Sequence, residues 1–138
     1  MSIRQHLAAY AGTAVAFLAL DAVWLTTMAE RLYRPAIGHL MMDKPSFGPA
    51  AAFYAFYFVG VVVFAVMPAV ASQRWQTALG LGVLLGLVAY GAYDFTNQAT
   101  LKAWPWRLTM IDLAWGGFAT AVAAVVGWRV AIAVGNGS

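Results

Sequence analysis

Three aspartates sit where an apolar sequence has least use for charge. Asp94 and Asp112 lie near the two ends of the stretch YDFTNQATLKAWPWRLTMIDLAW (residues 93–115), which joins two strongly apolar segments. Asp21 interrupts a third apolar segment. Two carboxyl groups on neighbouring helices can do general acid/base work, because crowded carboxyls resist ionising together and so divide into an acid and a base. The same groups can instead line a pocket for a small amphiphile or a lipid headgroup, or lock helices together as an interior polar knot. In a membrane, a charged side chain costs on the order of 2.5–3.5 kcal/mol on insertion scales, so each needs a partner, a proton or a polar cavity.

The neighbours of these aspartates are suited to a site. Tyr90, Asp94 and Asn97 share one helix face at i, i+4 and i+7, with Thr100 close to it. Asp112 is followed at i+3 by Trp115, and Asp21 at i+3 by Trp24. The two Asp-x-x-Trp copies, DAVW and DLAW, fall on helices that run in opposite directions, so they are not a structural repeat. The available partners are Arg31, Arg34, Lys102, Arg107, Asn97 and the tyrosine and tryptophan donors. The candidate ligand-binding residues are therefore Asp21, Trp24, His39, Tyr90, Asp94, Asn97, Thr100, Lys102, Asp112 and Trp115, with Asp94, Asp112 and Asp21 the candidates for catalysis. Lys102 and Arg107 also suit interfacial anchoring, and His39 an interfacial hydrogen bond. Phe53, Tyr54, Phe56, Tyr57 and Phe58 read as packing and belt residues.

The whole chain explains why those carboxyls stand out. Of its 138 residues, 63% are hydrophobic and 9% charged, against roughly 25% charged in a soluble domain. That is too little polar surface to cover a globule in water. The absence of cysteine excludes disulfides, thiolate catalysis and cysteine metal sites. Two histidines are too few for a His-rich metal site, and a dispersed net charge of +3 does not suit nucleic acid. Neither a metal nor a cofactor is expected.

Four apolar runs, at about residues 7–28, 49–70, 77–99 and 108–134, each approach the span of a bilayer. With no water to satisfy peptide groups in lipid, helices are the default. The predicted architecture is an all-α, four-helix transmembrane bundle, up-down-up-down, forming one domain over residues 1–138. SQRW (residues 72–75) and LKAWPW (residues 101–106) are short turns, and Pro105 suits a helix start. The longer link at residues 30–48 holds Pro35, Pro45 and Gly48 around an apolar middle. It is expected to lie in the interface or fold over the bundle as a lid, with residues 31–45 less regular than the spans. Small residues at Ala8, Gly12 and Ala16, and at Gly82 and Gly86, suit close helix contacts.

Counting along the hairpin gives depth. Asp94 lies nine residues before Ala103 and Asp112 nine after, so an antiparallel pair brings them to one layer. Asp21, nine residues before Glu30, falls in the same layer. All five acids belong to the half that carries the long link, whereas the other end holds Arg4, Arg74 and Arg129. A proton or cation pathway would need polar residues through the full thickness, and the other half of helices 2 to 4 is almost purely apolar.

RPAIGHLM with a following proline, AAFYAFYFVGVVVFAVMPA, and YDFTNQATLKAWP with Asp112 and Trp115 beyond it resemble the DUF2177 family of small bacterial membrane proteins. The resemblance covers nearly the whole chain. It implies a four-helix, multi-pass protein of the bacterial inner membrane and carries no activity with it. The expected function is that of an integral membrane protein holding a small amphiphile or lipid headgroup in an acidic pocket at one membrane face. The alternatives are a membrane-embedded enzyme using paired aspartates, or a structural subunit. Membrane lipid and a small amphiphilic ligand are the expected partners, with a second copy of the chain or a membrane enzyme as further candidates and nucleic acid excluded.

Overall fold

Apolar runs without in/out alternation fold here into four long helices. The computed structural model describes residues 1–137: α1 is Ile3–Leu40, α2 Phe47–Ser72, α3 Trp75–Thr100 and α4 Trp106–Asn136. All four are long and apolar enough to cross a membrane. Each is longer than the apolar run that signals it, because local chemistry extends the ends. Ser2 and Gln5 form a reciprocal capping box, each side chain bonding the other's backbone N–H, which starts α1 ahead of its apolar run. Gln73, in the left-handed conformation at φ 59°, closes α2, and Ala103 at φ 58° turns the chain between α3 and α4.

The expectation of an irregular link at residues 31–45 is corrected. Helix continues through Glu30, Pro35 and Gly38 to Leu40, and the irregular backbone is confined to residues 41–46. The reason lies in a wide turn. Proline inside a helix removes one hydrogen bond and collides with the carbonyl four residues earlier. For Pro35 that carbonyl is Arg31, inside a π-helical turn at Ala29–Tyr33. For Pro68 it is Phe64, inside a second one at Val62–Val66. In both places the widened turn lets the helix pass its proline without breaking. The extension then folds over the end of the bundle as expected: Leu32 and Ile37 pack against Trp104 and Leu108.

Packing is inverted relative to a soluble bundle. α4 lies at the centre, and most of the residues it buries are glycine or alanine, including Gly116, Gly117, Ala119, Ala123 and Ala124. Many large apolar side chains face outward, with Phe56 80% and Val15 70% exposed, while Phe17, Phe58 and Leu108 are buried. Small residues let backbones meet where lipid offers no hydrophobic incentive to pack. Gly82 shows this directly, since a Cβ there would stand 2.8 Å from the Cα of Ala121, and one at Gly86 would strike the Gly116 carbonyl. On α1 the buried line is Ala9, Thr13, Phe17 and Asp21, one position beside the Ala8, Gly12 and Ala16 stripe. Gly12 still meets α4 at Val130 and Gly127.

Candidate functional site

Asp21, Asp94 and Asp112 all point into the bundle, as their register predicts. They are 6%, 0% and 5% exposed. The hairpin carries two of them to one depth, and the turn that fixes its register is itself locked by polar contacts. Gln98 donates to the Trp104 carbonyl at 2.6 Å, Thr109 donates to Gln98 at 2.7 Å, and Trp104 Nε1 donates to Thr109 at 3.1 Å. Gln98 and Thr109 thus hold the loop beneath the aspartates.

Each carboxyl has different surroundings. Asp112 Oδ1 accepts from the Tyr33 hydroxyl at 2.6 Å, and that hydroxyl accepts from Trp24 Nε1 at 2.9 Å. Asp21 accepts from the Tyr54 hydroxyl. Asp94 lies beside Asp112, yet neither of its oxygens has a hydrogen bond of ordinary geometry. The indole N–H of Trp115 is likewise buried without an acceptor. Trp115 stacks on Trp24 with ring centroids 4.3 Å apart and planes 8° from parallel. The two Asp-x-x-Trp copies are therefore joined through their tryptophans, although their helices run oppositely. Tyr90 reaches between the groups, within electrostatic range of Asp21, Asp112, Tyr54 and Tyr57. Its ring lies against Gly116, where a Cβ would overlap it.

A cavity of about 350 Å³ adjoins these groups, lined by Leu25, Tyr33, Phe53, Ala89, Tyr90, Tyr93 and Asp112. All four helices contribute to it. Asp94 is within electrostatic range of three of those residues, Asp112, Tyr33 and Tyr93. A second hollow of about 600 Å³ runs between α1 and α2 from Tyr10 to Leu25 and includes Asp21 and Tyr54. Leu25 borders both.

Among the ten candidates read from sequence, Asp21, Trp24, Tyr90, Asp94, Asp112 and Trp115 come together. Asn97 is half-buried beside Tyr93. Thr100, Lys102 and His39 are exposed, and the Thr100 hydroxyl bonds the Thr96 carbonyl of its own helix. The structure does not bring these three into the cluster. None of the expected cations reaches the aspartates: among the described residues, the ion pair found is Arg34 with Glu30 at 2.8 Å, on the exposed face of α1. Tyrosine hydroxyls take the place of those cations. Tyr33 and Tyr54 are the residues that sequence reasoning missed. Tyr54 had one signal, since Tyr54 and Tyr57 are the hydroxyl-bearing members of a run of phenylalanines and lie at i and i+3. Tyr33 had none, because the wide turn that aims it leaves no mark in residue spacing. No group of three or more metal-ligating side chains is placed to hold a metal among the described residues.

Fold and site together define a polytopic membrane protein whose four spans close around a buried acidic and aromatic cluster. The chain belongs to the family described as predicted membrane protein (DUF2177), whose sequence model matches residues 6–129. No curated protein and no solved structure matches the chain.

Proposed function

We propose that this protein, in the bacterial inner membrane, binds a small amphiphile or lipid headgroup in the acidic pocket at the link end of its bundle. The observation that carries this reading is the Asp94 carboxyl: fully buried, with no hydrogen bond of ordinary geometry, beside Asp112, a second carboxyl that lines a cavity of about 350 Å³. A buried polar group without a partner is expensive. A side chain kept for structure alone would be expected to find the hydroxyl that Asp112 and Asp21 each find. The cavity falls in the range of ligand pockets, about 300–1,000 Å³, and combines apolar lining with a few convergent polar groups as they do.

The test is purification in a nonionic detergent with mass-spectrometric identification of what stays bound. The wild-type protein is expected to retain one amphiphile or lipid class selectively. Asp94→Asn keeps the size of the side chain and is expected to lose that species while remaining helical by circular dichroism. If the wild type retains nothing selectively and Asp94→Asn changes thermal stability alone, the polar-knot reading replaces this one.

The closeness of Asp94 to Asp112 supports a second reading, in which the two carboxyls divide into acid and base and turn over a membrane substrate. Loss of a bound lipid on incubation, abolished by Asp112→Asn, would favour catalysis over binding.

A further inference from the structure

We propose that the ligand is an organic cation, an ammonium or quaternary ammonium head on a single alkyl chain, with the head in the four-helix cavity and the chain in the groove between α1 and α2. This inference rests on the binding reading above and narrows it to one chemical class.

The argument for the head is one of charge and lining. Three carboxyls are buried in the bundle, Asp94 beside Asp112, with no lysine, arginine or histidine paired to any of them among the described residues. Their partners are neutral hydroxyls, Tyr33 on Asp112 and Tyr54 on Asp21, and Asp94 has none. Among the described residues no cationic side chain forms an ion pair with these aspartates. Intramembrane carboxyls pair with one another or mark the path of a substrate, ion or proton, and some serve as counter-ions to a ligand. The cavity lining identifies which kind of cation. Four aromatic residues, Tyr33, Phe53, Tyr90 and Tyr93, line the cavity with Asp112. Aromatic rings beside a carboxylate are the environment that attracts ammonium and quaternary ammonium groups. A bare metal ion needs several oxygen or nitrogen donors, and no such group is assembled among the described residues.

The argument for the chain comes from the groove. It holds about 600 Å³, and Leu25 borders both it and the cavity. Its lining is alanine, leucine and phenylalanine apart from Tyr10, Asp21 and Tyr54. Both tyrosine hydroxyls are already engaged, Tyr10 on the Ala55 carbonyl at 3.1 Å and Tyr54 on Asp21. The groove therefore offers apolar surface along most of its length and negative charge at one end. Tyr10 and Leu25 are fifteen residues apart on α1, or about 22 Å at the helical rise. That is the outline of a single-chain amphiphile with a positive head.

The experiment compares probes on the wild-type protein in a maltoside detergent. Binding of decyltrimethylammonium, decanoate, decanol and tetramethylammonium is followed through the fluorescence of the tryptophans, of which Trp24 and Trp115 stack beside the cavity. Decyltrimethylammonium is expected to bind saturably and at least about tenfold more tightly than decanoate or decanol. Tetramethylammonium, a head without a chain, is expected to displace it with weaker affinity. Asp94→Asn and Asp112→Asn are each expected to reduce the preference for the cation by about tenfold. Should either variant fail to fold, the wild-type series decides alone. If decanol or decanoate binds as tightly as the cation, the proposal for a cationic head is overturned while amphiphile binding stands. If no probe binds and no lipid co-purifies, both fall.

Discussion

Tyr33 joins two elements through a single oxygen. Its hydroxyl donates to Asp112 on α4 and accepts from Trp24 two turns earlier on α1. Tyr33→Phe removes both bonds and leaves a buried carboxylate and a part-buried indole N–H unsatisfied. The expected loss is about 1–3 kcal/mol, read by thermal or denaturant unfolding in nonionic detergent, together with a weakened near-ultraviolet signal from the stacked Trp24 and Trp115. Tyr54→Phe is expected to act in the same direction through Asp21 and to leave that tryptophan signal unchanged, because Tyr54 touches neither indole through a hydrogen bond. These two tyrosines also show what the sequence conveys at this scale. Asp94 and Asp112 could be placed together because each lies nine residues from Ala103, and a hairpin makes that count a distance. Their partners could not, since a hydroxyl's aim depends on helix rotation and splay, and neither is written in spacing.

The helices themselves were legible in number and in direction, because an apolar run long enough to span a bilayer has few alternatives in lipid. Their ends and continuity were less so. Pro35 reads as a breaker, yet the wide turn at Ala29–Tyr33 carries α1 past it. Amide hydrogen exchange should show this, with residues 34–40 protected relative to residues 41–46. Uniformly fast exchange across residues 34–46 would restore the irregular link. The contact of α3 with α4 makes a second test. A methyl group at Gly86 meets backbone that cannot move aside, whereas Gly80 has nothing within 4 Å. Gly86→Ala is expected to cost about 1–3 kcal/mol, the usual range for overpacking, and to spread the hairpin that holds Asp94 against Asp112. Gly80→Ala is expected to be neutral or to stabilise by up to about 1 kcal/mol, the difference in helix propensity. Equal effects at the two glycines would show that close backbone approach is not what those residues provide.

At the scale of the whole molecule, the uneven distribution of charge makes orientation a testable property. Four antiparallel spans place the N-terminus, the turn at Gln73 and the end of α4 on one side, with residues 41–46 and the Ala103 turn on the other. The first end carries Arg4, Arg74 and Arg129, and the second carries Arg31, Arg34, Lys44, Lys102 and Arg107 together with every acid in the chain. Only lysine and arginine count toward orientation, so the pairing of Arg34 with Glu30 does not cancel its contribution. By the positive-inside rule, five cations against three predict an acidic end that faces the cytoplasm. The chain has no cysteine, so single cysteines can be introduced with no background thiol. Ser2, Gln73, Asp43 and Lys102 are exposed positions, two for each end. In intact cells a membrane-impermeant thiol reagent is expected to label Ser2→Cys and Gln73→Cys and to leave Asp43→Cys and Lys102→Cys unmodified until the cells are opened. The reverse pattern keeps the bundle and turns the pocket outward, where its ligand would come from outside the cell. Labelling of Ser2→Cys and Gln73→Cys from opposite sides would break the antiparallel order on which the shared depth of the three carboxyls depends.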